Sequence, residues 1–236
     1  MTMAGNTAGN TALLLALLDS RAPAGAHGHS GGMEAAVSAG FVTGTADVAR
    51  FCALRLATAG QVAAAFAAAG CALWAGGGSP ERWAELDGEF SARVPSPAAR
   101  AASRQLGRGL RRLVTAMAPE ADLAGPWRPV PRPAPHHPLV LGAAVAIGGG
   151  GPELAAVAAA LGTCTAAASA AVRLLGLDPY AVQRVLAGLA PAINSAGAAR
   201  AGGDLADFAG LPAAGAPALE LLADVHARSE MRLFAS

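Results

Sequence analysis

A chain of 236 residues with 53% hydrophobic and 14% charged residues can bury a sizeable core, which excludes global disorder. Seventeen basic against sixteen acidic residues leave a formal charge of +1, without the basic excess of a nucleic-acid binder. Every basic residue is arginine; lacking lysine, the chain can build neither a Walker A phosphate loop nor a Schiff base, and the run Gly148–Gly151 reads as a hinge before Pro152.

Much of the apolar content is alanine, the strongest helix former, while aromatics make up only 4%. The β-branched and aromatic enrichment that marks sheets is missing. The expectation is an all-α, single-domain helical bundle of roughly eight to ten helices. Cys52, Cys71 and Cys164 lie far apart in apolar or small-residue surroundings. That spacing suits buried free thiols in a reducing compartment better than a disulfide framework or a zinc cluster.

Residues 1–11 read as a polar, glycine-containing tail ahead of the main domain, 12–236. Ala12–Leu18 reads as an apolar helix; no positive charge precedes its run Leu13–Leu18, so no secretory signal is expected. A turn-rich segment, 19–32, leads into a short helix from Met33 to Ala39, closed by Gly40. A longer helical stretch begins after Thr45, has Asp47 in its first turn, and runs towards Trp74 with a break expected near Gly60. Ser79-Pro80 and Ser96-Pro97 are N-cap serines followed by proline at the first helical position. The second pair opens the clearest amphipathic helix, which Pro119 stops. Leu106, Leu110, Leu113, Val114 and Met117 form its core face, and Arg104, Arg108 and Arg111 line another, as a solvated face or a partner-binding stripe.

Residues 126–138 hold six prolines and form an extended connector between two helical halves, with His136 and His137 expected to be exposed. Helices near Leu139–Ile147 and Pro152–Leu175 follow, then one capped by Asp178-Pro179. Residues 194–215 carry no assignable pattern. The last segment starts helical at Ala218 and ends in an arginine-containing tail, 226–236.

Leu154–Val172 contains no charged residue and approaches the ~20 residues that span a bilayer. Its alanine content, with Thr163, Thr165 and Ser169, makes transfer to lipid weak, so a buried central helix is preferred over a membrane-associated protein. His27 and His29 offer imidazoles that suit Ni²⁺, but no cysteine or carboxylate stands beside them; a transient contact is expected, with no stable metal site and no cofactor. A small-molecule hydrolase built on Ser30 is the enzyme-class alternative. The segment lacks the Gly-x-Ser-x-Gly elbow and a strand to display it, so no catalytic residue is expected. At the other end, Arg228, Glu230, Arg232, Leu233 and Phe234 set charges beside two apolar anchors. An exposed leucine–phenylalanine pair on a free end is expected to order upon a partner.

Three segments together resemble the UreF family of urease accessory proteins. Leu17 to Glu34, with Pro23, Gly25, Ser30, Gly31 and Glu34, is similar to the family's N-terminal pattern of a leucine-rich helix, a proline, and a small turn ending in serine, glycine and glutamate. Ser103-Arg104-Gln105-Leu106-Gly107-Arg108 resembles its Gln-x-Gly-Arg helix, and Arg228 to Ser236 its charged ending with Arg-Leu-Phe and a terminal serine. Where most members carry an aromatic residue in the first turn, this chain has His27-Gly28-His29, the version similar to the actinobacterial branch. The resemblance implies a cytoplasmic, non-catalytic helical homodimer between two partners, UreH (also called UreD) and the GTPase UreG. That assembly docks on apo-urease, and GTP hydrolysis by the GTPase is coupled to nickel insertion. It assigns the tail residues Arg228, Glu230, Arg232, Leu233 and Phe234 to UreH, and leaves Arg104, Gln105, Arg108, Arg173, Ser30 and Glu34 as candidates for the UreG or dimer contact. Neither nucleic acid nor a membrane is implied as a partner.

Overall fold

The structure, a computed structural model, describes residues 7–19, 29–127, 134–201, 204–228 and 233–234. The helices are α1 (Thr7–Leu18), α2 (Met33–Ser38), α3 (Thr45–Arg55), α4 (Gln61–Ala75), α5 (Pro80–Ala92), α6 (Pro97–Met117), α7 (His137–Ile147), α8 (Pro152–Leu175), α9 (Pro179–Ala201) and α10 (Pro217–Ala227). No strand occurs among the described residues, and the fold is all-α. Helix α1 starts at Thr7, so Thr7–Thr11, expected in the tail, are helical.

Small side chains set the centre of the molecule. Helix α4 packs against α7 and α8, and α8 against α9. A Cβ at Gly142 of α7 would stand 2.1 Å from the Ala67 carbonyl oxygen of α4, so these two helices cross backbone to backbone. Alanine and glycine permit that approach; any larger side chain would push the axes apart. The expected break at Gly60 is absent. Leu56–Gly60 is a π-helical turn, and the chain stays helical from Thr45 to Ala75. Such a turn absorbs one extra residue without ending the helix.

Two clusters of buried side chains share α4 and α8. One gathers Phe66, Trp83, Leu86, Phe90, Leu110, Val114 and Trp127 with Leu139–Leu141 of α7. Its rings meet edge to face at Phe66–Phe90, 5.2 Å between centroids, and tilted at Trp83–Trp127, 4.9 Å. The other joins Met33, Val48, Phe51, Ile193 and Phe234 to the alanine face of α8. Both cores therefore draw on residues before and after the proline-rich stretch, so the helices on either side of it pack into one bundle.

Helix α8 is a core helix: alanines 155, 156, 159, 160, 167, 168, 170 and 171 are buried along it. By length and composition alone, Thr45–Ala75 and Pro152–Leu175 could both cross a bilayer, yet 61% and 50% of their most apolar windows are buried inside the molecule. Helix α9 runs through Pro191 to Ala201, further than the glycine-rich sequence suggested. Serine capping holds at α6, where the Ser96 hydroxyl accepts the Ala99 N–H at 3.1 Å; Ser79 precedes α5 without a side-chain cap bond.

Candidate partner-docking surface

The C-terminal end is built from α6 outward. The first turn of α6 leaves backbone N–H groups to be satisfied. Carboxylates of α10 supply the acceptors: Glu220 takes the Ser96 N–H at 3.0 Å, and Asp224 takes the Ala98 N–H at 3.3 Å and the Ser96 hydroxyl at 2.6 Å. Negative charge at a helix N-terminus also answers its dipole. The Ser96 hydroxyl bond, above all, holds the Asp224 carboxyl below the usual range. Helix α10 is thereby fixed against α6, with Leu221 and Val225 outward and 67% and 65% exposed.

Leu233 and Phe234 lie against α2. Glu34, in the first turn of α2, is buried, and its carboxylate accepts the N–H of Leu233 at 2.7 Å and of Phe234 at 2.9 Å. His226 of α10 joins the same carboxylate at 3.2 Å. The Phe234 ring is buried, with the Arg173 guanidinium 4.3 Å from its centroid, while Leu233 is 80% exposed. This corrects the expectation of an exposed leucine–phenylalanine pair on a free end. Phe234 belongs to the molecule's own core because Glu34 satisfies both backbone donors, and only Leu233 faces solvent. Arg228, at the end of α10, is exposed. Glu230 and Arg232 lie outside the described residues, as does His27.

The α6 candidates divide. Gln105 and Arg108 are exposed. Arg104 is half-buried: it pairs with Asp87 at 2.9 Å, donates to the Ser91 hydroxyl at 3.1 Å, and reaches the Ala134 carbonyl. It pins α5, α6 and the segment before α7 instead of standing on a solvated face. His136, expected exposed, is fully buried in the same knot, with its backbone N–H donating to Asp87 at 3.1 Å and its ring Nε2 against the Ser91 hydroxyl at 2.9 Å. Burial, chiefly, pushes its pKa down to about 4. Gly107 makes the passage of that segment possible, since a Cβ there would stand 2.0 Å from the Pro135 carbonyl oxygen.

Ser30 is fully buried, and its hydroxyl meets no hydrogen-bond partner among the described residues. That leaves it without the base a nucleophile needs. His29 is buried and lines a cavity of about 240 Å³ together with Arg55, Ser103, His137 and Glu220. Among the described residues no group of three or more histidine, cysteine or acidic side chains is arranged to hold a metal ion. Cys52 and Cys164 are buried and free, each sulfur near the other's carbonyl oxygen, 3.8 and 3.7 Å.

Sequence reasoning missed two residues here. Glu34 was singled out for a partner, not as the receptor of the chain's own end. Arg55 was passed over, although it is the only charged residue between Arg50 and Glu81. A lone charge in so long an apolar run was the available signal.

Fold and site define an all-helical protein whose polar chemistry fixes and presents a surface. Residues 42–190 match the UreF family profile. The chain is 43% identical over 225 residues to the urease accessory protein UreF of Mycobacterium sp. (strain JLS), covering 94% of this chain and 97% of the relative. It is 42% identical over 226 residues to that of Mycolicibacterium vanbaalenii, covering 95% and 98%. The chain belongs to the UreF family of urease accessory proteins.

Proposed function

We propose that this chain is a urease maturation factor that does no chemistry of its own and works as a cytoplasmic, dimeric scaffold. It links a UreH/UreD-type accessory protein to the GTPase UreG and to apo-urease, so that GTP hydrolysis by UreG accompanies nickel insertion. The chain has no resident metal in this reading; nickel is cargo, and His27 and His29 are given at most a passing contact with it. Gln105 and Arg108, exposed on α6, are the candidates for the UreG side, on a helix that Arg104 pins to α5; Arg173 is the candidate for the dimer contact, while Ser30 and Glu34 are buried and are not given a partner protein.

One observation carries the UreH assignment. The Glu34 carboxylate clamps the backbone at Leu233 and Phe234, so that Leu233 stands 80% exposed at a position fixed against α2. A preordered apolar anchor loses little conformational entropy on docking. Burying Leu233 against a partner contributes about 1.5–3 kcal/mol, or tenfold or more in affinity.

Copurification with a UreH homologue tests this. Leu233→Asp should cut recovery of UreH at least tenfold while leaving the melting temperature of the isolated chain unchanged, because the side chain touches solvent. Full recovery of UreH by Leu233→Asp would remove the assignment. Deleting residues 228–236 is the weaker experiment, since it also takes Phe234 out of the core and lowers stability.

A further inference from the structure

We propose that the cavity between the His29–Gly32 turn, α3, α6 and α10 binds a small oxyanion, of the carboxylate or phosphate class, through the guanidinium of Arg55.

Arg55 ends α3 just before the π-helical turn. Arg55 is half-buried as a residue, but its Nε is shut off from solvent and has no hydrogen-bond partner. A buried N–H left unpaired is costly, and natural interiors avoid it unless something accepts its hydrogen. Burial accordingly pulls the Arg55 pKa down. The turn beside it covers one side of the group. Gly31 and Gly32 have φ of 59° and 86°, and a Cβ at Gly31 would stand 3.2 Å from Cζ and from Nη2. Glycine lets the backbone lie directly on the guanidinium, which leaves the cavity as the place for an acceptor.

The other polar groups of the cavity do not neutralise Arg55. Glu220 feels it through space but forms no ion pair with it, and its carboxylate is held by the Ser96 N–H at the start of α6. Arg93 already spends its donors on Glu89 and on the carbonyls of Phe208, Ala209, Leu211 and Pro212. Ser103 accepts the His137 N–H at 3.2 Å, so its own hydroxyl hydrogen is free to donate. His137 has its pKa pushed down to about 4, by burial first and then by His29, and adds no charge near neutrality. The site thus offers one forked cation and a hydroxyl donor among the apolar side chains of Val62, Phe90 and Leu106. A planar or tetrahedral oxyanion matches the fork in bidentate fashion. With a volume of about 240 Å³ the cavity falls below the range of nucleotide and drug-sized sites, so a small anion is the occupant.

Calorimetric titration of the full chain with sodium phosphate and with sodium acetate, at constant ionic strength in chloride, tests the proposal. Saturable binding is expected for at least one of them, and the two arms tell which class the cavity prefers. Arg55→Gln should weaken it at least tenfold, and Ser103→Ala by a smaller factor. Should Arg55→Gln fail to fold, phenylglyoxal modification of the wild-type chain decides: phosphate or acetate should protect the Arg55 peptide, read by mass spectrometry, while exposed Arg108 and Arg112 react regardless. No saturable binding of either anion, equal binding by Arg55→Gln, or Arg55 modification undiminished by both anions would overturn the proposal.

Discussion

Buried polar residues in this protein act as fasteners, and His136 shows how one of them makes stability depend on pH. Its ring lies 4.7 Å from that of Phe90, its ring Nε2 meets Ser91, and its backbone N–H donates to Asp87. Burial favours the neutral imidazole and, with help from Arg104, holds the pKa down to about 4 against the pull of Asp87. A group with a depressed folded-state pKa contributes stability that is complete above its unfolded value, near 6.5, and is lost as the pH falls towards about 4. The difference corresponds to about 3 kcal/mol. His137, also pushed down to about 4, titrates in the same window. The melting temperature should therefore fall steadily between pH about 6.5 and about 4, and His136→Asn should flatten part of that slope. A melting temperature constant across the window in the wild-type chain would contradict this account of the knot.

Between elements, the decisive contact is the crossing of α4 and α7. Gly142 has the Ala67 carbonyl oxygen and the Cys71 nitrogen within 2.6 Å of where a Cβ would be, and both are backbone atoms that cannot rotate away. Gly142→Val should therefore destabilise by at least about 3 kcal/mol, at or beyond the upper end of ordinary overpacking. Gly188, inside α9, has nothing within 4 Å of a Cβ, so Gly188→Ala should stabilise by about 0.5–1 kcal/mol through helix propensity alone. Urea unfolding of both variants measures the pair. Equal effects would mean that close backbone approach is not what positions α7.

Across the whole molecule, much of the helical order was legible because its signals are local. Proline at the start of α5, α6, α8 and α9, the alanine content of α8 and the spacing of Leu110 and Val114 all act within a turn or two. The residues misjudged depend on partners far along the chain. Phe234 is fixed by Glu34, 200 positions away, and His136 by Asp87, 49 positions away. Composition placed both at exposed, proline-rich or terminal positions, and no local pattern announces a single carboxylate that will accept two distant N–H groups. The Gln-x-Gly-Arg segment had its glycine in view, but the reason for it, the passage of Pro135 against α6, exists only in three dimensions.

The central claim is that this chain is required for loading nickel into urease while contributing no catalytic step. Nickel bound per urease active site is the direct measure, in cells that express urease with UreH, UreG and the remaining accessory proteins, with and without this chain. Urease purified without the chain should remain nickel-poor, and restoring the wild-type chain should fill it, whereas Leu233→Asp should restore only a small part. Nickel content that is the same with and without the chain, at equal levels of the other proteins, would contradict the account.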